Sequence, residues 1–561
     1  MSDLPERAEA LFFEGNRLMQ AGEAEAAEAC YRQALSLVPE FSEVLSNLAL
    51  LRERAGAFAE AEDCYRRAIA TNPECVQNYL NLGVMLSNAK RFAEAEAVCQ
   101  KALSLAPDSA PAWSNLGVLL ARLKREDAAE QCYRTAMALD PGYANARFNL
   151  AYVLLRQERF EEGWECLEAR DWYAMLSRYF TSPRWQGEPL DGHSIIIGLE
   201  AGHGDMIQFC RYASVLKTMG AARVAVVCHP ALKTLFASLL GIDDVFSVHD
   251  DVPKSLWDFW TPPLSLPYYC HTRIDTIPAP IPYLAAEADK RARWNAVLPV
   301  SGRRVGLVWK GSAGFENDLD RSLSSLSVLA PLSTVPGVSF VSLQKGQGED
   351  EARCPPVGFS MMALGEGLAD FSETAAIIAN LDLVISVDTA VAHLAGALGV
   401  PCWVLLPDYQ TDWRWLSTRC DSPWYPGMRL FRQPPGGGWE TVVAALAEAL
   451  QRQDWATAVE RPPFLTWLAL SWQATPETVE IQLRRRREFL DAKLAEEKET
   501  LRSIRAEVGH PSPEAVWMVT LVVAQIRVEL GWLKKVASEL ARRAPAISPE
   551  LPPEPYPHTP D

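Results

Sequence analysis

The chain has no apolar run long enough to cross a bilayer. Its most apolar stretches, 194–199 and 518–526, fall well short of the roughly 20 residues a spanning helix needs. It also lacks the basic region followed by an apolar run that opens a secretory signal, since Met1-Ser2-Asp3-Leu4-Pro5-Glu6-Arg7 leads straight into an amphipathic pattern. A cytoplasmic location with no integral membrane segment is the expectation. Positive charge is in deficit, and a formal net charge of −17 removes a general nucleic-acid role, because phosphate-backbone affinity comes from clustered Lys and Arg. C-x-x-C pairs are absent although there are 12 cysteines, which in a chain without a secretory signal favours reduced thiols. What is present is ordinary: 48% apolar and 22% charged residues are those of a globular protein, and 561 residues are too many for one hydrophobic core.

Compared with itself at an offset of 34 residues, the first third aligns Ala27, Ala61, Ala95 and Ala129, and in the same frame Pro39, Pro73, Pro107 and Pro141. Tyr31, Tyr65, Cys99 and Tyr133 fall between these marks, and Leu48, Leu82, Leu116 and Leu150 mark first helices. Cys30, Cys64, Cys132 and Cys166 recur at one register, where a small buried residue is wanted. This is the tetratricopeptide (TPR) pattern. Each unit is a helical hairpin in which small residues such as Gly15, Gly83 and Gly117 admit close helix approach and the tyrosine fills the gap. Four repeats and a degenerate fifth are predicted over residues 1–170. Asn47, Asn81, Asn115 and Asn149 recur at a first-helix position, forming a ladder that could hydrogen-bond a peptide backbone in the concave groove. Self-association into a homo-oligomer is the alternative use of such a solenoid.

From about residue 185 the helical period gives way to short, β-branched apolar runs at 194–199, 223–228, 305–309, 339–344, 383–387 and 402–406. Continuous apolar strands alternating with helices mean parallel sheets covered on both faces. A Pro-rich crossover at 262–282 divides the runs into two Rossmann-like α/β lobes, over 185–285 and 286–450, with a cleft between them.

In such sheets ligands sit at the carboxyl ends of strands. Three strand-end loops stand out there. The first is Gly202-His203-Gly204-Asp205, where two glycines permit a tight turn and Asp205 stands at a helix mouth. The second runs from Lys310-Gly311-Ser312-Ala313-Gly314 to Asp318-Leu319-Asp320-Arg321-Ser322, whose glycines, hydroxyls and cations suit a diphosphate; its context argues against reading Asp318-Leu319-Asp320 as a metal site. The third is Asp388-Thr389-Ala390-Val391-Ala392-His393-Leu394-Ala395-Gly396-Ala397-Leu398-Gly399-Val400-Pro401, the most specific signal in the chain. Asp388 and Thr389 there lie beside the orphan amides of a helix start, with His393 one turn on.

At this third loop the sequence resembles the family-nine glycosyltransferases, the lipopolysaccharide heptosyltransferase-like group, and the likeness covers roughly 185–450 with the first-lobe G-x-G-D loop. Behind N-terminal TPRs, the architecture is also similar to that of protein O-GlcNAc transferases. The resemblance implies a GT-B fold of two facing lobes and a nucleotide sugar as substrate, with no metal and no other cofactor. It implies Asp205 as the general base, within an acceptor loop of Gly202, His203 and Gly204. Asp388, Thr389 and His393 would contact the donor, Arg321 and Lys310 would neutralise the leaving diphosphate, and Gln344 and Lys345 would lie near the nucleotide. Ala390 stands where heptosyltransferases often have Gly, and His203 replaces a usually small or apolar residue.

The segment 408–434 holds Trp413, Trp415, Trp424, Tyr425 and Phe431, suited equally to stacking on a base or sugar and to filling a lobe interface. Two long helices are predicted within 455–543, followed by a disordered Pro-rich tail at 544–561. The expectation is thus a bacterial-type TPR glycosyltransferase transferring sugar to a protein held by the solenoid. A lipopolysaccharide or polysaccharide acceptor, and an inactive scaffold, are the alternatives.

Overall fold

The computed structural model describes residues 3–278, 281–315, 317–452, 476–506 and 513–540. The 34-residue period resolves into five helical hairpins, the last being Ala144–Arg156 with Phe160–Leu167. Ala27, Ala61, Ala95 and Ala129 are wholly buried, and the Tyr31 ring lies so close over Gly15 that a Cβ there would come within 2.5 Å of it. The register that carries Cys30, Cys64, Cys132 and Cys166 is packed as expected, the last three buried and all four thiols free.

Two all-parallel sheets follow. The first contains β1 (Ser194–Ile197), β2 (Arg223–Cys228), β3 (Asp244–Ser247) and β4 (Phe259–Thr261) in the order β3-β2-β1-β4. The second contains β5 (Arg303–Val308), β6 (Val338–Ser342), β7 (Met361–Ala363), β8 (Leu383–Val387), β9 (Cys402–Leu406) and β10 (Met428–Arg432) in the order β10-β9-β8-β5-β6-β7. Strand order reverses between β1 and β4 in one sheet and between β5 and β8 in the other, the positions where doubly wound sheets open a crevice. The three loops singled out in the sequence follow β1, β5 and β8, so all three leave strands at these reversals.

The solenoid is not a tethered arm. A single apolar core runs from the fourth repeat through both lobes, and residues up to Ala456 form one compact unit. Trp164 of the fifth hairpin stands edge-on to Trp413 at 5.3 Å and donates its indole N–H to the Thr272 carbonyl at 2.9 Å. Arg170, just beyond, grips both oxygens of Glu200 at 2.6 and 3.1 Å, and both side chains are buried. The aromatic segment resolves to packing: Trp413, Trp415, Trp424, Tyr425 and Phe431 are all buried, as a shared interface of this size requires.

The second unit, from Thr457 on, holds the helices Pro476–Ala506 and Pro513–Leu540, closed by Leu483, Leu490, Ile526 and Leu533. Among the described residues no helix is long and apolar enough to cross a membrane. The Pro-rich tail at 544–561, and parts of the crossover and of the C-terminal helical region, lie outside the described residues.

Candidate functional site between the lobes

After β1 the chain turns through Ala201, whose φ of 62° puts the left-handed conformation on an alanine and not on either neighbouring glycine. Gly202 then caps the helix His203–Phe209, and its N–H donates to Asp205 Oδ2 at 2.9 Å. Gly204 serves a different purpose. A Cβ there would lie 3.0 Å from His393 Cδ2 and 3.5 Å from Ala390 Cα, so this glycine lets the first-lobe helix press against the second-lobe helix Ala390–Ala397. His203 stacks on His229 with centroids 4.2 Å apart and lies 5.2 Å from Phe371 of the second lobe. Burial, aided by the neighbouring imidazole, lowers its pKa to about 4, so His203 is neutral near pH 7.

Opposite stands the end of β8. Thr389 occupies the N-cap of the helix Ala390–Ala397, and its hydroxyl lies 3.0 Å from Ser386 Oγ. His393 is buried, with Nδ1 3.1 Å from the Tyr425 hydroxyl and its ring stacked on Trp415 at 5.4 Å. Burial, with the charges of Arg414 and Arg211, pushes its pKa well below the usual range. A neutral, inward-packed imidazole carries no positive charge to offer an anionic ligand.

The centre of the site is Arg414, a residue without a local signature. It follows β9 in a short turn, Trp413–Trp415, and is 7% exposed. Its Nη2 donates to Asp205 Oδ1, Nη1 reaches both oxygens of Asp412 at 3.0 and 3.1 Å, and Nε donates to Gln208 Oε1 at 2.5 Å. Gln208 is fully buried and its Nε2 has no partner, an orphan donor next to the ion pair. Asp388 is half-buried beside this group, and the Trp415 indole N–H approaches it without closing a hydrogen bond of normal geometry. Burial, and then repulsion from Asp412, push the Asp388 pKa up to about 6. Leu416, directly after the turn, has φ 57° and ψ −175°, a conformation that essentially only glycine adopts, and Gln410 before it has φ 49°. Such strain persists where surrounding structure dictates it, and it clusters at functional sites.

The second loop is more fully engaged than its composition suggests. Arg321 donates Nε to Asp318 Oδ1 at 3.1 Å and lies 4.2 Å over the Phe315 ring, near enough to Asp388 to act on its charge. Lys310 pairs with Glu351 at 2.8 Å. Gln344 is spent on fastening backbone: its Oε1 accepts the N–H groups of Trp309 and Lys310, both at 3.0 Å, and its Nε2 donates to the carbonyls of Lys310 and Gln347. Lys345 donates to the Gly365 carbonyl at 2.7 Å. Asp318 is held by Arg321 and Ser322, whereas Asp320 is held by Lys90, so the two carboxylates serve separate cations. In the solenoid all four ladder asparagines are half-buried, and two are already bonded within it: Asn47 donates to Asn16 at 2.7 Å, and Asn81 accepts from Gln77 at 2.7 Å.

The structure thus gathers Asp205, Gly204, Asp388, Thr389, His393 and, at the margin, Arg321 into one site. It leaves Gln344 and Lys345 as backbone fasteners, and it adds Arg414, Asp412 and Gln208, for which no sequence pattern spoke.

The chain is similar to known families in two separate stretches, the helical hairpins and the segment around β8. The TPR families match residues 12–69, 47–110, 88–136 and 115–173, and glycosyltransferase family 9 (heptosyltransferase) matches residues 366–405, the stretch from before β8 into β9. Protein FlbA of Caulobacter vibrioides is 28% identical over 320 residues, 52% of this chain and 52% of its own length. The chain therefore spans about half the length of that curated relative. Among solved structures, pilF of Pseudomonas aeruginosa is 21% identical over 30% of this chain and 76% of its own, with a TM-score of 0.28. A thermophilic TPR protein of Thermus thermophilus is 24% identical over 31% of this chain and 96% of its own, with a TM-score of 0.27.

Proposed function

We propose that the chain is a glycosyltransferase that moves a sugar from a nucleotide-sugar donor to an acceptor hydroxyl by an inverting, metal-independent displacement. The observation that carries this reading is the Asp205–Arg414 pair, which sets a carboxylate of the first lobe against a cation of the second at the helix start bearing Asp388 and Thr389. Inverting transfer needs a base on the acceptor side and positive charge where the nucleoside diphosphate departs. Asp205 is the base. Arg414 and Arg321, with the helix N-terminus at Thr389, take the diphosphate in place of the neutral His393.

In the arrangement described, both Asp205 oxygens are occupied, by Gly202 N–H and by Arg414. A bound diphosphate competes for the same guanidinium, so donor binding releases an Asp205 oxygen to accept the acceptor's proton. The acceptor in this reading is a protein segment delivered along the solenoid, which shares its core with the catalytic lobes.

The test is a thermal-shift titration of the purified chain with UDP-, GDP-, ADP- and CMP-sugars, since a ligand that binds only the folded state raises its melting temperature. A shift with one of them, lost in Arg414→Ala, supports the reading. Absence of any shift across the panel would sink it.

A further inference from the structure

Each TPR hairpin turns between its two helices through a residue with positive φ, and these residues recur every 34 positions: Gly22 at 82°, Gly56 at 76°, Lys90 at 60°, Lys124 at 59° and Glu158 at 66°. The first two are glycine, the residue that this conformation favours. The last three are long, charged side chains that tolerate it less well. Surroundings account for the difference. A Cβ at Gly22 or Gly56 would meet nothing within 4 Å, whereas Lys90 pairs with Asp320, Lys124 with Asp408, and Glu158 with Arg419 at 3.8 Å, all in the second lobe. Where a turn reaches no lobe the chain has glycine; where it reaches the second lobe it carries a charge complementary to the residue it meets.

We propose that Lys90 and Lys124 are positioning residues for the strained segment 408–416 that presents Asp412 and Arg414 to the site. Three contacts fix the start of that segment. Lys124 holds Asp408, the Lys90 ammonium stands 4.6 Å over the Tyr409 ring, and Phe92 packs against the same ring at 5.9 Å. Lys90 at the same time holds Asp320, next to Arg321. Asn317 of that loop donates to the Gln410 carbonyl at 3.1 Å, which ties the two second-lobe loops to each other. The ion pairs are partly exposed, and such pairs add little to global stability. Their effect is local: they fix where the segment starts, and Arg414 lies six residues after Asp408.

The catalytic part of this inference rests on the glycosyltransferase reading, whereas the structural part does not, and the experiment separates them. In the full chain, Lys90→Gly with Lys124→Gly restores the residue that the first two turns use, so backbone strain falls and the melting temperature holds or rises. Amide hydrogen exchange in 408–416 is expected to quicken about tenfold in this double variant, with the rest of the second lobe unchanged. Lys90→Arg with Lys124→Arg should return it to the wild-type rate. With the nucleotide sugar that binds in the panel above, kcat should fall about tenfold while the donor KM stays within about twofold. Unchanged exchange in 408–416 would overturn the proposal, as would faster exchange with undiminished kcat. Faster exchange in a chain that binds no nucleotide sugar even as wild type would uphold the docking and remove only the catalytic reading.

Discussion

Arg414 of the second lobe donates through Nη2 to Asp205 of the first, and the same guanidinium holds Asp412 at 3.0 Å. One buried cation therefore balances two carboxylates in a region where Asp388 adds a third. Removing one partner of a buried pair leaves the other charges uncompensated, typically a larger loss than the pair's own net worth. Arg414→Ala should cost about 3 kcal/mol of stability by urea unfolding. Arg414→Lys should recover part of that but not donor binding, because an ammonium cannot fork between two carboxylates. Equal donor affinity in the Lys variant and the wild type would show that Arg414 acts by charge alone.

Asp205→Asn keeps the side chain's size and an oxygen for the Gly202 N–H, and it removes the basic carboxylate. Donor affinity by calorimetry should stay within about threefold, while transfer falls by about 10² to 10⁴, the range for loss of general base catalysis. Undiminished turnover would remove Asp205 as the base.

Asp388 gives a pH signature whose sign follows from its raised pKa. Its carboxyl keeps its proton up to about pH 6 when folded but loses it near pH 4 when unfolded. The native state binds more protons in that window, so this residue's contribution to stability falls as pH rises from about 4 to about 6 and is level above. Asp388→Asn should therefore gain on the wild type as pH rises between these limits, reaching about 3 kcal/mol and keeping that margin at pH 8. The measurement is the difference in urea midpoints from pH 4 to 8. By the same linkage a diphosphate, repelled by ionised Asp388, should bind the wild type more tightly at pH 5.5 than at pH 7.5, and the Asn variant about equally at both.

How much of this was legible in the sequence depended on whether the information was local. The 34-residue period and the strands β2, β8 and β9 could be read to the residue, because a repeat and a β-branched run between turn signals are properties of neighbours in the chain. The strands β3, β4, β7 and β10 escaped. Three have only three or four residues, and β10 carries two arginines, so none presents a continuous apolar run. Asp388, Thr389 and His393 were found by their place between a strand and a helix. Arg414 was not, since an arginine between two tryptophans becomes a site residue only when folding brings it to its partner Asp205, 209 positions away in the chain. The neutral state of His393 and the fastening of backbone by Gln344 depend on the same long-range packing.

Gly204 sits where the first-lobe helix His203–Phe209 meets the second-lobe helix Ala390–Ala397. Gly204→Ala places a Cβ 3.0 Å from the His393 ring, which is itself pinned by Tyr425 and Trp415, so the neighbour cannot easily yield. Overpacking of this kind costs about 1–3 kcal/mol. Because it separates the helix starts that carry Asp205 and Thr389, donor turnover should fall more steeply than stability. A variant with wild-type melting temperature and turnover would show that the lobes do not need this contact.

The shared core decides what a truncation does. If the solenoid were a separable recruiting arm, deleting residues 1–170 would spare chemistry at the cleft and lose only the acceptor. The packing argues for the opposite outcome. That deletion strips Trp164 and Phe160 from Trp413 and Trp424, leaves Glu200 buried without Arg170, and removes Lys90 and Lys124 from the second lobe. The unpaired buried carboxylate alone costs about 3–5 kcal/mol, a large part of a domain's typical stability, so the remnant should be insoluble or unfolded. Deleting residues 1–73 removes the two hairpins whose turns, Gly22 and Gly56, meet nothing. That shorter chain should fold and retain donor binding while losing the first two hairpins of the solenoid. Soluble expression, circular dichroism and nucleotide-sugar titration of the two truncations distinguish the cases: a folded, donor-binding 171–561 fragment would show that the lobes stand without the solenoid.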